Sequence, residues 1–477
     1  MPEYNLILGP PGTGKTTTML ELVDFAIKRK IPTSKIGYFT FTTKAANEAV
    51  TRAAKKFGKM KKSFPYFSTL HALAYRLIGI RREDVFEDQM RTHFGNLMGL
   101  DLRDGTPDMA LLSCVNMARA KGITLKEEWR NGSYEFGWFA VNRVGKGLAE
   151  FKRVHGVVDF TDMLAQAAES QECPPFDLLI IDEAQDLSAV QWDFVKQLCR
   201  SSKEVYFAGD DDQAIHEWCG ADAHIFRTLD IPKIVLGQSY RVPRAVQDIA
   251  NRISSRIKDR YDKQWEARDE QGAVHRPSHF QYIDFSEGSW LILARHEFLL
   301  HPIRDELRSQ GVYYAMKHTP SVSPALVLRI KGWEALRSGE LLPIDEAAEV
   351  LRSLPKRMRG AIPEGKKEVS LADLECKTDA PWHEAMTLPS RNREYLMAMM
   401  RSGEPLTGEP RIILSTIHSA KGGEADNVVL LPDITKKTEE AMIRNPDPEH
   451  RVWYVGATRA KQNLYILDPQ TMRHYDI

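Results

Sequence analysis

Residues 9–16 read GPPGTGKT and satisfy the spacing G-x-x-x-x-G-K-[ST] at every fixed position. Glycines there let backbone amides turn toward a polyphosphate, and a helix starting at Lys15 adds the partial positive charge of its N-terminus. Lys15 is suited to reach the β and γ phosphates, and the Thr16 hydroxyl to ligate Mg2+. The predicted nucleotide cradle is Gly9, Pro10, Pro11, Gly12, Thr13, Gly14, Lys15, Thr16 and Thr17. A second chemical pair, Asp182 and Glu183, follows the apolar run at 176–181 directly. Carboxylates at the carboxyl end of a parallel strand face the crevice where ligands bind. Asp182 then suits the water shell of Mg2+, and Glu183 the polarisation of an attacking water. Loop and acidic pair together predict a nucleoside triphosphatase.

Such groups work only if strands hold them. Short apolar runs at 6–8, 36–41, 176–181, 205–208 and 233–236 read as strands of the kind buried on both faces of a parallel sheet. Helical stretches alternate with them, which argues for a doubly wound α/β sheet. The rhythm resumes at 289–294, 411–415 and 427–431. Two stretches break it, 73–158 and 317–408, and both read as mainly helical inserts. The expected division is therefore a first core at 1–72 and 159–235 with insert 73–158. A second core follows at 236–316 and 409–477, with insert 317–408.

A phosphate loop alone also suits a GTPase, a kinase or a protein-remodelling ATPase. Further segments narrow the choice: YFTFTTKAA at 38–46, STLHA at 68–72, DFTDML at 159–164, IDEAQDL at 181–187 and AGDDDQAIHEWCGAD at 208–222. QSYRVP at 238–243, STIHSAKGGE at 415–424 and YVGATRAK at 454–461 complete the series. In content and order these resemble the motifs of superfamily-one helicases of the UvrD/Rep/PcrA type. The resemblance implies two RecA-like parallel-sheet cores, ATP and Mg2+ as cofactors, and single-stranded and tailed duplex DNA as partners. It implies that Gln213 senses the γ-phosphate, that Arg241 and Arg459 of the second core act on the same phosphate, that Tyr240 stacks on adenine and that Glu424 contacts ribose. It also implies strand contacts by Phe41, Thr42, His71, Trp218, Thr416 and His418. Base–aromatic stacking tolerates every sequence, as a translocating motor needs. The implied activity is ATP-driven 3′–5′ translocation with duplex unwinding. The alternatives are a translocase that strips proteins without productive unwinding and a protein-remodelling ATPase.

The chain departs from the family pattern in places. Eight residues precede Gly9, which leaves no room for the upstream glutamine motif that reads adenine. Gly423 replaces an apolar residue, His216 a tyrosine and Cys219 an arginine. The second insert is reduced, and the compact form is similar to phage-encoded members. Composition sets outer bounds over 477 residues. Lys plus Arg and Asp plus Glu both number 65, which excludes a global polycation. No apolar run is long enough for a membrane span. The five scattered cysteines lack metal-ligand spacing, so no structural zinc or metal cluster is expected. A reducing cytosol, bacterial or that of a phage-infected host, is the expected location; protein partners are not identified.

Overall fold

A computed structural model describes residues 2–132, 134–170 and 172–477. Contacts divide the chain into one unit of Met1–Glu270 with Arg444–Val455, and another of Gln271–Ile443 with Gly456–Ile477.

The first unit is built on six strands, β1 (Glu3–Leu8), β2 (Ile36–Thr40), β3 (Phe67–Thr69), β4 (Leu178–Ile181), β5 (Glu204–Gly209) and β6 (Lys233–Val235). Their order is β3-β2-β4-β5-β1-β6, with every pairing parallel. Every residue of β2 and β4 is buried, as expected of strands covered on both faces, β4 being an unbroken apolar run. Helices Lys15–Lys28 and Thr43–Phe57 cover one face with Met19, Val23, Ala49 and Ala53. Helix Ala189–Arg200 covers the other with Trp192, Phe194 and Leu198. β6 departs from expectation: at the sheet edge, its three residues are exposed.

The first insert comprises helices Asp88–Met98, Pro107–Ala120, Leu125–Asn131 and Trp138–His155. Side-chain caps start two of them: Thr106 ahead of Pro107, and Thr124 in a reciprocal capping box with Glu127. Phe94, Leu112, Val115, Val141, Val144 and Leu148 form a core of their own. The expected boundary at 73 falls inside helix Leu70–Ile78, whose Leu70, Leu73 and Ala74 pack in the sheet's core instead.

The second unit holds β7 (Ala273–His275), β8 (Trp290–Ala294), β9 (Tyr314–Met316), β10 (Thr319–Pro320), the small antiparallel pair β11 (Leu342–Pro343) and β12 (Glu368–Val369), then β13 (Ile412–Thr416), β14 (Ala425–Leu431) and β15 (Ala460–Ile466). Its main sheet runs β10-β9-β13-β8-β14-β15-β7 and is parallel except at β10. Helices Pro324–Arg337, Ile344–Arg352 and Ser390–Ser402 dominate the second insert. Here Trp333, Leu351 and Leu396 share one core with Trp290, Ile292 and Leu414 of the sheet.

Residues 236–270 correct the expected division, because they group with the first unit rather than the second. This stretch delivers Lys263 to a buried acidic run at the end of β5 and hydrogen-bonds the phosphate loop through Ser239 and Tyr240. Among the described residues no helix is long and apolar enough to cross a membrane.

Candidate active site

β1 ends at Leu8, and the Gly9 amide donates to the Gly209 carbonyl at 2.9 Å, fixing the start of the phosphate loop beside β5. Gly12 and Gly14 both take left-handed backbone conformations, φ 73° and 79°. At Gly12 the need for glycine is also steric, since a Cβ there would lie 2.3 Å from that of Arg241. Thr13 ties the loop to itself through its hydroxyl, which donates to the Pro10 carbonyl at 2.8 Å. Helix Lys15–Lys28 follows with Gly14 as its N-cap and no side-chain cap, so backbone amides of its first turn face an incoming phosphate.

Lys15 Nζ lies 2.9 Å from Glu183 Oε1. Burial opposes its charge, but Glu183, Asp182 and Asp210 outweigh burial and raise its pKa. Asp182 is buried at the end of β4, with Oδ2 accepting from the Tyr38 hydroxyl at 2.6 Å and Oδ1 from the Glu183 amide at 2.9 Å. Burial and the Glu183 charge push its pKa up, against the pull of Lys15 and Tyr38. Glu183 has φ 56°, a left-handed conformation that costs a non-glycine residue on the order of 1 kcal/mol. Its Oε2 accepts from Gln185 Nε2 at 2.6 Å, and Gln185 Oε1 accepts from the Asp210 amide at 3.1 Å. Gly209 is required beside it, because a Cβ would meet Gln185 Oε1 at 2.2 Å. Asp210 Oδ2 then accepts from Gln213 Nε2 at 2.7 Å. Lys15, Glu183, Gln185, Asp210 and Gln213 thus form one connected hydrogen-bonded and ionic chain.

The acidic run behind Gln213 is neutralised from below. Lys263 Nζ, fully buried, lies 2.8 Å from Asp210 and 3.0 Å from Asp212, and also bonds Asp211. Arg260 grips Asp212 with both ends of its guanidinium at 2.8 and 2.5 Å. The same segment straps the phosphate loop: Ser239 Oγ donates to the Pro11 carbonyl at 2.7 Å, and the Tyr240 amide to the Gly12 carbonyl at 2.8 Å. Tyr240 keeps its ring 73% exposed beside Gly14, a face available for stacking. Arg241 therefore sits over the loop within the first unit, not in the second core where it was expected.

The predicted metal donors fit Mg2+. Thr16 and Asp182 offer hard oxygens, and no group of three or more metal-ligating side chains occurs among the described residues. That suits an ion completing its octahedron with phosphate and water rather than a protein cage.

Two of the strand-contact candidates of the first unit, Phe41 and Trp218, are linked by His216. Phe41 stacks on His216 at 5.0 Å and 29°, and His216 lies 6.2 Å from Trp218. Trp218 is 64% exposed, so it is no core residue, whereas Phe41 is half-buried against the sheet's core. Thr42 caps helix Thr43–Phe57, its Oγ1 accepting from the Ala45 amide at 3.1 Å. His71 meets Phe160 edge-on at 5.8 Å, and burial lowers its pKa, leaving a neutral ring able to hydrogen-bond.

Arg459, Glu424, Thr416 and His418 belong to the second unit. Arg459 is buried, its guanidinium donating to the Gly423 carbonyl at 3.4 Å and to Thr458 Oγ1 at 3.3 Å. Glu424 pairs with Lys461 at 3.5 Å, and Thr416 Oγ1 accepts from the Ser419 amide at 3.3 Å.

Residues 2–232 match the UvrD/REP helicase N-terminal domain, and residues 381–470 the UvrD-like helicase C-terminal domain. The chain belongs to the UvrD/Rep/PcrA helicase family. The first matched stretch holds the phosphate loop, acidic pair, Gln213 and Trp218, and the second holds Thr416, His418, Glu424 and Arg459. DNA helicase II of Haemophilus influenzae is 26% identical over 298 residues, covering 56% of this chain and 40% of that protein. DNA helicase II of Escherichia coli is 28% identical over 282 residues, covering 53% and 38%. The helicase PcrA of Staphylococcus epidermidis is 25% identical over 290 residues, covering 54% and 39%. The matches thus span about two-fifths of the length of these relatives.

Sequence reasoning missed the residues that position the family's chemical groups. Tyr38, Gln185 and Asp210 lie inside the quoted motifs, so the signal was closeness in sequence to Phe41, Glu183 and Gln213. Lys263 and Arg260 gave none: each is one basic residue about fifty positions from the carboxylates it neutralises.

Proposed function

We propose that this chain is an ATP-driven motor that tracks 3′ to 5′ on single-stranded DNA and unwinds tailed duplex. The observation that carries this reading is the joining of two sites within one stretch after β5. The chain of contacts from Lys15 reaches Gln213, and His216 and Trp218 of the aromatic row follow directly in sequence. A change at the nucleotide has a short path to an exposed stacking surface.

In this reading the phosphate-loop amides and Lys15 hold the β and γ phosphates, and Tyr240 stacks on the base. Mg2+, held by Thr16 and Asp182, spreads the phosphate charge when bound with the nucleotide. Glu183 orients the attacking water; its contact with Lys15 in the structure shifts to phosphate and water when nucleotide enters. Arg241, whose Cβ lies over the loop, is the first-unit residue whose permanent charge would meet the charge developing on the γ-phosphate. The roles of Arg459, Glu424, Thr416 and His418 toward the nucleotide and the strand rest on their places in the family motifs. The use of ATP rests on the family motifs, with Tyr240 as the platform for the base, and the cytosol as its place of work on five scattered cysteines without metal-ligand spacing.

Unwinding of duplexes carrying a 3′ or a 5′ tail, with ATP, tests the proposal. Opening of the 3′-tailed substrate alone is expected. Hydrolysis stimulated by single strands without opening of either substrate would make the chain a protein-stripping translocase, and hydrolysis indifferent to DNA would end the motor reading.

A further inference from the structure

The contact chain from Lys15 reaches Gln213, and His216 and Trp218 of the stacking surface follow three and five positions on. The 3-10 turn Asp211–Gln213 and the 3-10 turn Glu217–Cys219 are separate elements. A side chain from far along the sequence touches both. Arg451, on helix Asp447–Ala457, is 2% exposed and donates through Nε to the Asp211 carbonyl at 3.0 Å. One of its terminal nitrogens donates to the Asp259 carbonyl at 2.5 Å, and the other faces Glu217 Oε1 at 3.8 Å. The helix carrying it is docked at its first turn, where the amides of Lys258 and Asp259 donate to the Asp447 carboxylate at 3.1 and 3.0 Å. All of these residues belong to the first unit.

Three properties make this a strut rather than an incidental contact. The guanidinium is a rigid planar fork, so the two carbonyls it bonds cannot shift independently, and Glu217 faces it at ion-pair distance. It is buried, and the carboxylate it faces is that of Glu217, immediately before Trp218, so displacement of that turn leaves the cation poorly compensated. Its anchor on the sensing turn is a backbone carbonyl, which moves with the turn whatever the Asp211 side chain does.

We propose that Arg451 is a positioning residue that couples the nucleotide-sensing turn at 211–213 to the strand-stacking turn at 217–219, acting through Glu217. The proposal rests on the motor reading above and specifies how its two sites communicate.

The test is a linkage measurement on the full chain. Affinity for an oligo(dT) single strand is measured without nucleotide and with a non-hydrolysable ATP analogue, alongside basal and strand-stimulated ATPase. Wild type is expected to show a nucleotide-dependent change in strand affinity. Arg451→Gln is expected to shrink that change, and the stimulation of hydrolysis, by about tenfold. Basal kcat, KM for ATP and nucleotide-free strand affinity should stay within about twofold, a split that merely loosened structure would not produce. Arg451→Lys keeps the charge but loses the fork and should recover little. Should Arg451→Gln fail to fold, Glu217→Gln, at a partly exposed side chain, should reduce coupling by several-fold with an unchanged Tm. Wild-type coupling in either folded variant overturns the strut. Absence of strand binding or stimulation in wild type instead removes the motor reading, so the two failures are distinct.

Discussion

In the first unit the ends of β4 and β5 bury Asp182, Asp210, Asp211, Asp212, Lys263 and Arg451, whereas the second unit buries Trp290, Trp333, Trp382 and Tyr395 in one continuous apolar mass. The inserts differ in the same sense. The first has its own apolar core and is tied to the sheet's helices by ions: Arg119 and Lys152 both grip Asp159 and Asp162 at the start of helix Phe160–Glu169. Among the described residues the second insert shares its core with the sheet. Buried charges hold a geometry only while every partner is in place, which suits turns that must respond to a ligand. An apolar core is indifferent to such a ligand and suits a scaffold.

That contrast can be broken at several points. The largest effect is expected from Trp333→Ala, which opens a cavity in the apolar core that the second insert shares with its sheet. It should cost about 4 kcal/mol of stability, read by denaturant unfolding. A loss below about 1 kcal/mol would show that Trp333 does not sit in a packed core. Lys15→Ala should leave the fold intact, lower kcat for ATP by about a thousandfold and keep single-strand binding. Retained hydrolysis would place the phosphate cradle elsewhere.

A smaller loss, about 2 kcal/mol, is expected from Asp159→Asn, which strips Arg119 and Lys152 of a shared carboxylate. Burial opposes ionisation of Asp159, but those two cations prevail and hold its pKa below the ordinary 3.8. A depressed folded-state pKa gives stability that is present above the unfolded value and lost as pH falls below it. Wild type should therefore lose stability more steeply than Asp159→Asn under acid, and parallel pH profiles would refute the ionic tie. The smallest effect belongs to Trp218→Ala. Its exposed ring should cost no stability, but about 1–2 kcal/mol of single-strand affinity. Unchanged affinity would remove Trp218 from the strand surface.

Local pattern and spacing determined much of this protein. The phosphate loop, the acidic pair after β4, the central strands and the two helical inserts were legible because each is specified by neighbours: glycines for a tight loop, unbroken apolar runs for covered strands, helical periodicity between them. Family membership followed from the order of short motifs. What the tertiary structure alone decided involves pairs distant in sequence. Lys263 meets Asp210 across 53 positions and Arg451 meets Asp211 across 240, and nothing in the surroundings of either cation announces its partner. The same holds for the boundary at 236, drawn where a strand ends, whereas the following stretch, which carries the charge that neutralises the first unit's carboxylates, groups with that unit. A chain encodes its elements locally, but a buried charge must find its counter-ion wherever the fold brings one, because leaving it alone costs several kcal/mol.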